Sequence, residues 1–154
     1  MFTKELPKTT FNRHLLDQIR EMAEPYLSTI PEALPYSLFV EFETSGERGG
    51  YEKKYFDHRR RLNCLFFSYL DTKDEKYLFP LLDAIFAILD EYTWAVPAHL
   101  RGRTPRTITT KIDLFSSETV YALSVIDYIL GDTLPDLIRE RIRIEVERRF
   151  LSSF

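Results

Sequence analysis

Apolar residues recur along most of this 154-residue chain at intervals of three and four, the spacing of amphipathic helices. The pattern predicts five helices, at residues 11–27, 51–70, 74–92, 113–130 and 134–150. The clearest stripe runs down the second of these and consists of Tyr51, Tyr55, His58, Leu62, Leu65 and Tyr69. The third is apolar over more than half of its circumference, which indicates burial on two sides.

The sequence also contains signals that predict where helices start and end. Thr72 and Glu75 have the spacing of a capping box, so they predict the start of the third helix. Gly131 is expected to end the fourth helix, and Thr133 to cap the fifth, with Pro135 in its first turn.

The segment between the first two helices lacks helical spacing. Pro25 is expected to end or bend the first helix, and residues 30–50 are rich in proline and then glycine. A short β-prone piece, Leu38–Phe42, lies within this segment. We therefore predict an ordered crossing segment here rather than a helix.

Two short connections, at residues 71–73 and 131–134, predict two antiparallel helical hairpins, at residues 51–92 and 113–154. The predicted fold is all-α, with stacked antiparallel hairpins in a single helical domain over residues 1–154, of which 1–50 is partly irregular. Such hairpins build α-solenoids and α/α toroids. A complete toroid needs more hairpins than these, so a partial α/α toroid is expected.

Composition narrows the class of protein. The chain is 44% hydrophobic and carries 21 basic against 24 acidic residues, so nucleic acid is not expected as a partner. One cysteine, Cys64, excludes an internal disulfide, and the histidines show no metal-ligand spacing, so neither metal nor cofactor is predicted. The sequence shows neither a signal peptide nor an apolar run long enough to span a membrane, so we expect a cytoplasmic protein without a membrane partner.

The long connection between the hairpins, residues 92–112, is the strongest candidate for a binding site. It contains no acidic residue, and its candidate ligand-binding side chains are Trp94, His99, Arg101, Arg103, Arg106 and Lys111. An aromatic face beside guanidinium groups suits a sugar that carries a carboxylate or sulfate. The alternative is that Trp94 and Pro97 hold the loop against the core while the basic residues stay solvated.

Other candidates have structural explanations. His58 shares the stripe of the second helix, which is typical of a hydrogen-bonded histidine at the edge of the core. The arginines at 59–61 are expected to pair with Glu41, Glu43 or Glu47, and Cys64 to be a buried small side chain. The serines at 116 and 117 lack the glycines that surround a nucleophilic serine.

The order and spacing of several motifs over residues 35–154 resemble the N-terminal part of heparinase II/III-like proteins. The motifs are Tyr51–Leu62 (YEKKYFDHRRRL), Tyr69–Leu78 (YLDTKDEKYL), Trp94–Leu100 (WAVPAHL), Ile112–Thr119 (IDLFSSET), Leu130–Leu134 (LGDTL) and Ile138–Ile142 (IRERI). The resemblance implies an α/α toroid that precedes a β-sandwich domain. It also implies a polysaccharide lyase that cleaves acidic, uronate-containing chains, such as heparan sulfate or alginate, by β-elimination.

In that family a tyrosine or histidine removes the proton next to the uronate carboxylate, and an asparagine, histidine or glutamate neutralises the carboxylate. As we align the motifs, the catalytic tyrosine and histidine lie in later toroid helices, beyond Phe154, so no catalytic role is transferred to this chain. The resemblance implies that Trp94, Pro97, His99 and Asp113 lie at the border of the toroid's substrate cleft.

These observations leave three hypotheses. The first is the N-terminal toroid section of a heparinase II/III-like lyase, inactive alone, with substrate-binding residues Trp94, His99, Arg101, Arg103 and Asp113. The second is a non-enzymatic helical module that binds an acidic glycan or a partner protein, with self-association or a missing C-terminal portion as the partner. The third is a hydrolase that uses His99 with Asp113 or Glu118.

Overall fold

The structure is a computed structural model that describes residues 9–153. Its α-helices are α1 (Thr10–Ala23), α2 (Tyr36–Phe39), α3 (Glu41–Ser45), α4 (Gly49–Thr72), α5 (Leu78–Asp90), α6 (Leu114–Leu130) and α7 (Asp136–Arg149). The described part of the chain contains no β-strand. None of its helices has both the length and the apolar character that crossing a membrane requires.

The helices form two antiparallel hairpins, α4 with α5 and α6 with α7, as the short connections predicted. Helix α4 lies between α1 and α5, and α5 also packs against α7. Helix α6 contacts α7 and the side of α4, which joins the two hairpins. The prediction of an all-α fold built from packed helical hairpins is therefore confirmed.

The core follows the predicted stripes. Each member of the α4 stripe from Tyr51 to Tyr69 is buried, and so is Cys64. The largest fully buried side chains from the other helices are Leu81, Ile85, Ile88, Leu89, Leu123, Ile126 and Ile142. These side chains come from both hairpins, so burial of their apolar surface holds the hairpins together.

Several helix ends are where the sequence placed them. Thr9 caps α1 by accepting a hydrogen bond from the amide of Asn12 at 3.1 Å. The α-helix then ends at Ala23, and a 3₁₀ turn over Glu24–Leu27 follows, with Pro25 in it. Gly131 ends α6 with a φ of +50°, a left-handed conformation that glycine adopts without strain.

Two predicted caps are wrong. Thr72 accepts from the amide of Asp74, and a 3₁₀ turn with Asp74 as its cap precedes α5, so no capping box with Glu75 forms. Helix α7 starts after Pro135, and Thr133 lies in the preceding 3₁₀ turn. In both places the extra 3₁₀ turn moves the helix start two or more residues along the chain.

The prediction of a β-prone piece at Leu38–Phe42 is also wrong. These residues lie in the short helices α2 and α3 and in the turn between them. No strand lies elsewhere in residues 9–153, so an extended segment would leave its backbone groups unpaired. Short helices satisfy these groups locally, and they place Leu38 and Phe39 against the buried Tyr51 and Val96.

Candidate functional site

The connection between α5 and α6 is folded back onto the body of the protein. It leaves the core at Glu91 and reaches α6 at Asp113, with a 3₁₀ turn over Pro97–His99 on the way. The Thr93 hydroxyl donates to the carbonyl of Ile108 at 3.0 Å, which ties the two arms of the loop together. This segment contains the predicted substrate-binding residues.

Trp94 is an anchor of this loop and is only 2% exposed. Its indole N–H donates to the carbonyl of Ile88 at 2.9 Å, and the guanidinium of Arg149 lies 4.9 Å from the ring centre. Because the ring is enclosed, the predicted stacking of Trp94 on a sugar does not fit this placement. Its position matches the alternative prediction, in which Trp94 and the buried Pro97 hold the loop to the core.

His99 and Asp113 are brought together, 14 positions apart in sequence. The Nδ1 atom of His99 lies 2.7 Å from Oδ2 of Asp113. Asp113 is also the cap of α6, because its Oδ1 accepts from the amide of Ser116 at 2.8 Å. The imidazole stacks on Phe115 with ring centres 5.8 Å apart. Asp113 therefore orients an exposed histidine while it caps the helix.

This pair lacks the remaining parts of a hydrolase. The hydroxyls of Ser116 and Ser117 are both bound to the backbone carbonyl of Asp113. Glu118, the other acid considered, lines a different groove, beside Cys64 and Tyr121. Among the described residues no serine, threonine or cysteine hydrogen-bonds to His99, so the geometry gives the hydrolase hypothesis no activated nucleophile.

The basic part of the loop is open to solvent. Arg101, Arg103 and Arg106 are exposed, and none of them forms an ion pair with a carboxylate in residues 9–153. Helix α7 behaves differently, because each of its arginines pairs with an acidic side chain: Arg139, Arg141, Arg143, Arg148 and Arg149. The loop therefore presents positive charge that the fold itself does not use.

A buried polar cluster lies beneath the loop, centred on Glu91. One carboxylate oxygen, Oε1, accepts from Arg59 at 2.5 Å and faces Nδ1 of His58 at 2.8 Å. Arg59 continues the cluster to the hydroxyl of Thr119 at 3.2 Å, and its guanidinium lies 3.6 Å from the ring centre of Tyr55. Burial lowers the pKa of Arg59, but the Glu91 carboxylate outweighs that effect and the net pKa is raised.

His58 has a partner at each ring nitrogen, as its predicted structural role requires. Its Nε2 lies 2.7 Å from the carbonyl oxygen of Glu32, while Nδ1 faces Glu91. Both partners carry acceptor oxygens, so the two contacts fix the orientation of the imidazole ring. Nearby, the Tyr55 hydroxyl donates to the carbonyl of Trp94 at 2.6 Å, and burial raises the pKa of Tyr55 to about 12.

The predicted partners of the basic run 59–61 are wrong. Arg59 pairs with Glu91, and Arg60 with Asp57 one turn earlier. Arg61 donates to the carbonyl of Thr29 at 2.5 Å. The three arginines reach different partners because successive helical side chains point in directions about 100° apart. Within the described residues, the run forms no ion pair with the acidic residues of α3.

Sequence reasoning missed two residues that organise the site, Glu91 and Arg149. Glu91 is 5% exposed and Arg149 6% exposed, although charged side chains are rarely buried. For Glu91 the sequence offers one signal, because the loop that follows it, residues 92–112, contains no acidic residue.

A cleft of about 890 Å³ opens beside this cluster. Glu91, His58 and Tyr51 lie in its floor, and the segment 31–43 forms one wall. Tyr92 and Arg103, from the loop, line the opposite side. No group of three or more His, Cys, Asp or Glu side chains within the described part of the chain is arranged to hold a metal ion.

Comparison with known proteins adds no relative to this description. No protein-family model matches the chain, and no match appears among curated proteins.

Proposed function

We propose that this chain is the N-terminal section of the α/α toroid of a polysaccharide lyase that resembles heparinase II/III. In this proposal the loop 92–112 binds an acidic, uronate-containing polysaccharide. The order of the sequence motifs and the packed helical hairpins both support the proposal. Location in the cytoplasm, and the exclusion of nucleic acid and membranes as partners, stay predictions.

The observation that carries the proposal is the set of loop arginines that form no ion pair within residues 9–153. Arg101, Arg103 and Arg106 lie within six residues of one another on an exposed segment. A guanidinium group binds a planar carboxylate through two parallel hydrogen bonds, and a polyuronate presents one carboxylate on each sugar unit. Several such contacts to one chain add up even though each is weak in water.

The proposal assigns binding, not catalysis, to this chain. β-Elimination needs a base, a proton donor and a neutralised carboxylate held together within hydrogen-bond reach. His99, oriented by Asp113, is exposed, but the described residues around it supply no buried site that could exclude water from a sugar. We therefore expect the chain to bind polyuronate without cleaving it.

Binding is tested with a triple variant in which Arg101, Arg103 and Arg106 become glutamine. Its affinity for a uronate hexasaccharide is measured by calorimetry. A loss of about tenfold or more is expected, because each exposed charged contact contributes roughly a factor of two to three and three such factors multiply. The matched control changes Arg60, Arg143 and Arg148, which are exposed but already paired on helices. Equal losses in both triple variants would contradict a specific role for the loop.

Cleavage is tested separately, by incubating the chain with polyuronates and recording the absorbance of unsaturated uronate ends. The proposal predicts no signal above a blank without protein. A clear signal would refute the assignment of binding alone and would make His99 the first residue to replace.

A second candidate function, assembly with another polypeptide, is favoured by the outer faces of the last hairpin. Helix α6 exposes apolar side chains at intervals of seven residues, Leu114, Tyr121 and Tyr128. The α7 stretch does the same with Leu137, Ile144 and Leu151, each more than half exposed. Such faces are typical of a helical stack whose next layer covers them.

Self-association is the simplest form of this candidate, and analytical ultracentrifugation over a range of concentrations tests it. Dimers are expected, and Leu137→Glu combined with Ile144→Glu is expected to abolish them. Phe79→Glu, which changes a side chain 77% exposed on α5, is the control. A monomer at every concentration would contradict self-association.

A further inference from the structure

The floor of the cleft contains a buried acceptor that the protein does not satisfy. Both donors to Glu91, Arg59 and His58, contact the same carboxylate oxygen, Oε1. The other oxygen, Oε2, is buried and has no hydrogen-bond partner within the described residues. Buried carboxylate oxygens without a donor are rare because the lost hydration is costly. This oxygen therefore indicates a ligand that brings an O–H or N–H group.

A second unpartnered polar group lies in the same floor. Tyr51 is 2% exposed, and its ring is fixed between Phe39 and Tyr55. None of the hydrogen bonds in residues 9–153 involves its hydroxyl. Burial, together with the nearby Glu91 charge, raises the pKa of the Tyr51 phenol, so the hydroxyl keeps its proton and acts as a donor. The lining of the cleft thus includes one free acceptor and one free donor.

We infer that this cleft binds an uncharged pyranose sugar, whose hydroxyl groups donate to Oε2 of Glu91 and accept from the hydroxyl of Tyr51. A sugar hydroxyl is both donor and acceptor, so adjacent hydroxyls of one ring suit both groups. The exposed rings of Tyr36 and Tyr92 line the same cleft and offer flat faces to the C–H side of a pyranose. The volume of about 890 Å³ lies within the usual range of ligand pockets.

The charges around the cleft favour an uncharged ligand. The negative charge of Glu91 is already offset by Arg59, so the free oxygen needs a hydrogen-bond donor and not a second cation. An anion would meet four carboxylates of the lining, those of Glu32, Glu43, Asp90 and Glu91. A cation would approach Arg103 at the rim and the Arg59 guanidinium behind Glu91. This site therefore differs in chemistry from the basic loop, and the inference does not depend on the proposed function.

Tyr51→Phe is the most direct test, because it removes the hydroxyl and keeps the ring. Binding is followed by NMR, with methyl β-glucopyranoside and the corresponding galactoside and mannoside added to the isotope-labelled chain. We expect at least one of these sugars to cause saturable shifts of amides around Tyr51 and Glu91. Tyr51→Phe is expected to weaken this binding by about threefold to tenfold, the usual effect of one lost hydrogen bond.

The matched control is Tyr121→Phe, the same chemical change on the exposed face of α6, which should leave the affinity unchanged. The melting temperature of Tyr51→Phe should equal that of the wild type, since the hydroxyl has no partner in the fold, and a clear fall would overturn the inference. Absence of saturable shifts with all three sugars would also overturn it, as would equal affinity in Tyr51→Phe.

The binding of charged sugars distinguishes this cleft from the basic loop. Glucosamine and glucuronate are expected to bind the cleft no more tightly than the neutral sugars. Tighter binding of glucosamine would overturn the inference in favour of a cation site, and tighter binding of glucuronate at Tyr51 would overturn it in favour of an anion site. Arg103 lines both sites, but Tyr51→Phe leaves the loop arginines unchanged, and Arg101 and Arg106 lie outside the cleft lining, so either proposal can fail alone.

Discussion

Replacing Arg149 with methionine is expected to destabilise the protein strongly, although arginine in a charged helix is usually replaceable. Arg149 is 6% exposed and donates to three backbone carbonyls, those of Leu89, Glu91 and Tyr92, at 3.1, 2.8 and 3.3 Å. These carbonyls lie at and just after the end of α5, where a helix lacks internal donors and its dipole attracts cations. One side chain of α7 thus completes the end of α5.

The magnitude follows from those contacts. A hydrogen bond from a charged donor contributes about 1.5 kcal/mol or more, so three sum to about 4.5 kcal/mol. Methionine keeps much of the apolar stem packing, which returns part of this loss. We expect the free energy of unfolding to fall by about 3 kcal/mol, or the melting temperature by roughly 6–12 °C at this chain length.

The assay is urea unfolding followed by far-ultraviolet circular dichroism, with Arg148→Met as the control. Arg148 is the preceding residue, its side chain is 48% exposed, and within the described residues that side chain forms an ion pair with Glu145 alone. Its replacement is expected to change the free energy of unfolding by less than about 1 kcal/mol. If Arg149→Met and Arg148→Met lower the stability equally, the helix-end role of Arg149 is refuted.

Three further predictions concern caps and titration. Asp113→Ala is expected to lower the free energy of unfolding by about 1–2 kcal/mol, since it removes the cap of α6 and the partner of His99. The control, Asp132→Ala, changes a fully exposed side chain and should lower it by less than about 0.5 kcal/mol. Equal losses in urea unfolding would contradict this prediction. Burial raises the pKa of Tyr26 and of Tyr55 to about 12, with the Asp57 hydrogen bond adding to the effect at Tyr26. Because these pKa values are higher in the folded state, their contribution to stability is complete below pH 10 and is lost as the pH rises towards 12. An ultraviolet titration should therefore show tyrosines that ionise late, and one step for all nine near pH 10 in folded protein would contradict it. Burial also raises the pKa of Cys64, so its reaction with a disulfide reagent should be slow in the native protein and fast in urea; equal rates would argue against burial.

The helices and most of the core were predictable because they depend on local spacing. The stripe from Tyr51 to Tyr69 predicted the buried face of α4, and Gly131 predicted the end of α6. Both signals arise within a few turns of chain, where a period of 3.6 residues separates inner from outer positions. The 3₁₀ turns before α5 and α7 place these two helix starts later in the chain than the local capping signals predicted.

The polar cluster was less predictable because its members are distant in sequence. Glu91 joins His58 and Arg59 from α4 across more than 30 residues, and Arg149 reaches the same corner from α7. Charged residues are rarely buried, so the sequence did not predict the burial of Glu91 and Arg149. The pairing of His99 with Asp113 was anticipated only as one alternative, and the enclosure of Trp94 followed the structural alternative.

The most direct test of the central claim compares one oligosaccharide with and without its carboxylates. The affinity of the chain for a uronate hexasaccharide is measured by calorimetry, and then for the same hexasaccharide after reduction of each carboxylate to an alcohol. If the loop arginines recognise uronate, the acidic form should bind at least about tenfold more tightly, and added salt should narrow the difference. Equal affinities for the two forms, or no binding of the acidic form at low salt, would contradict the account.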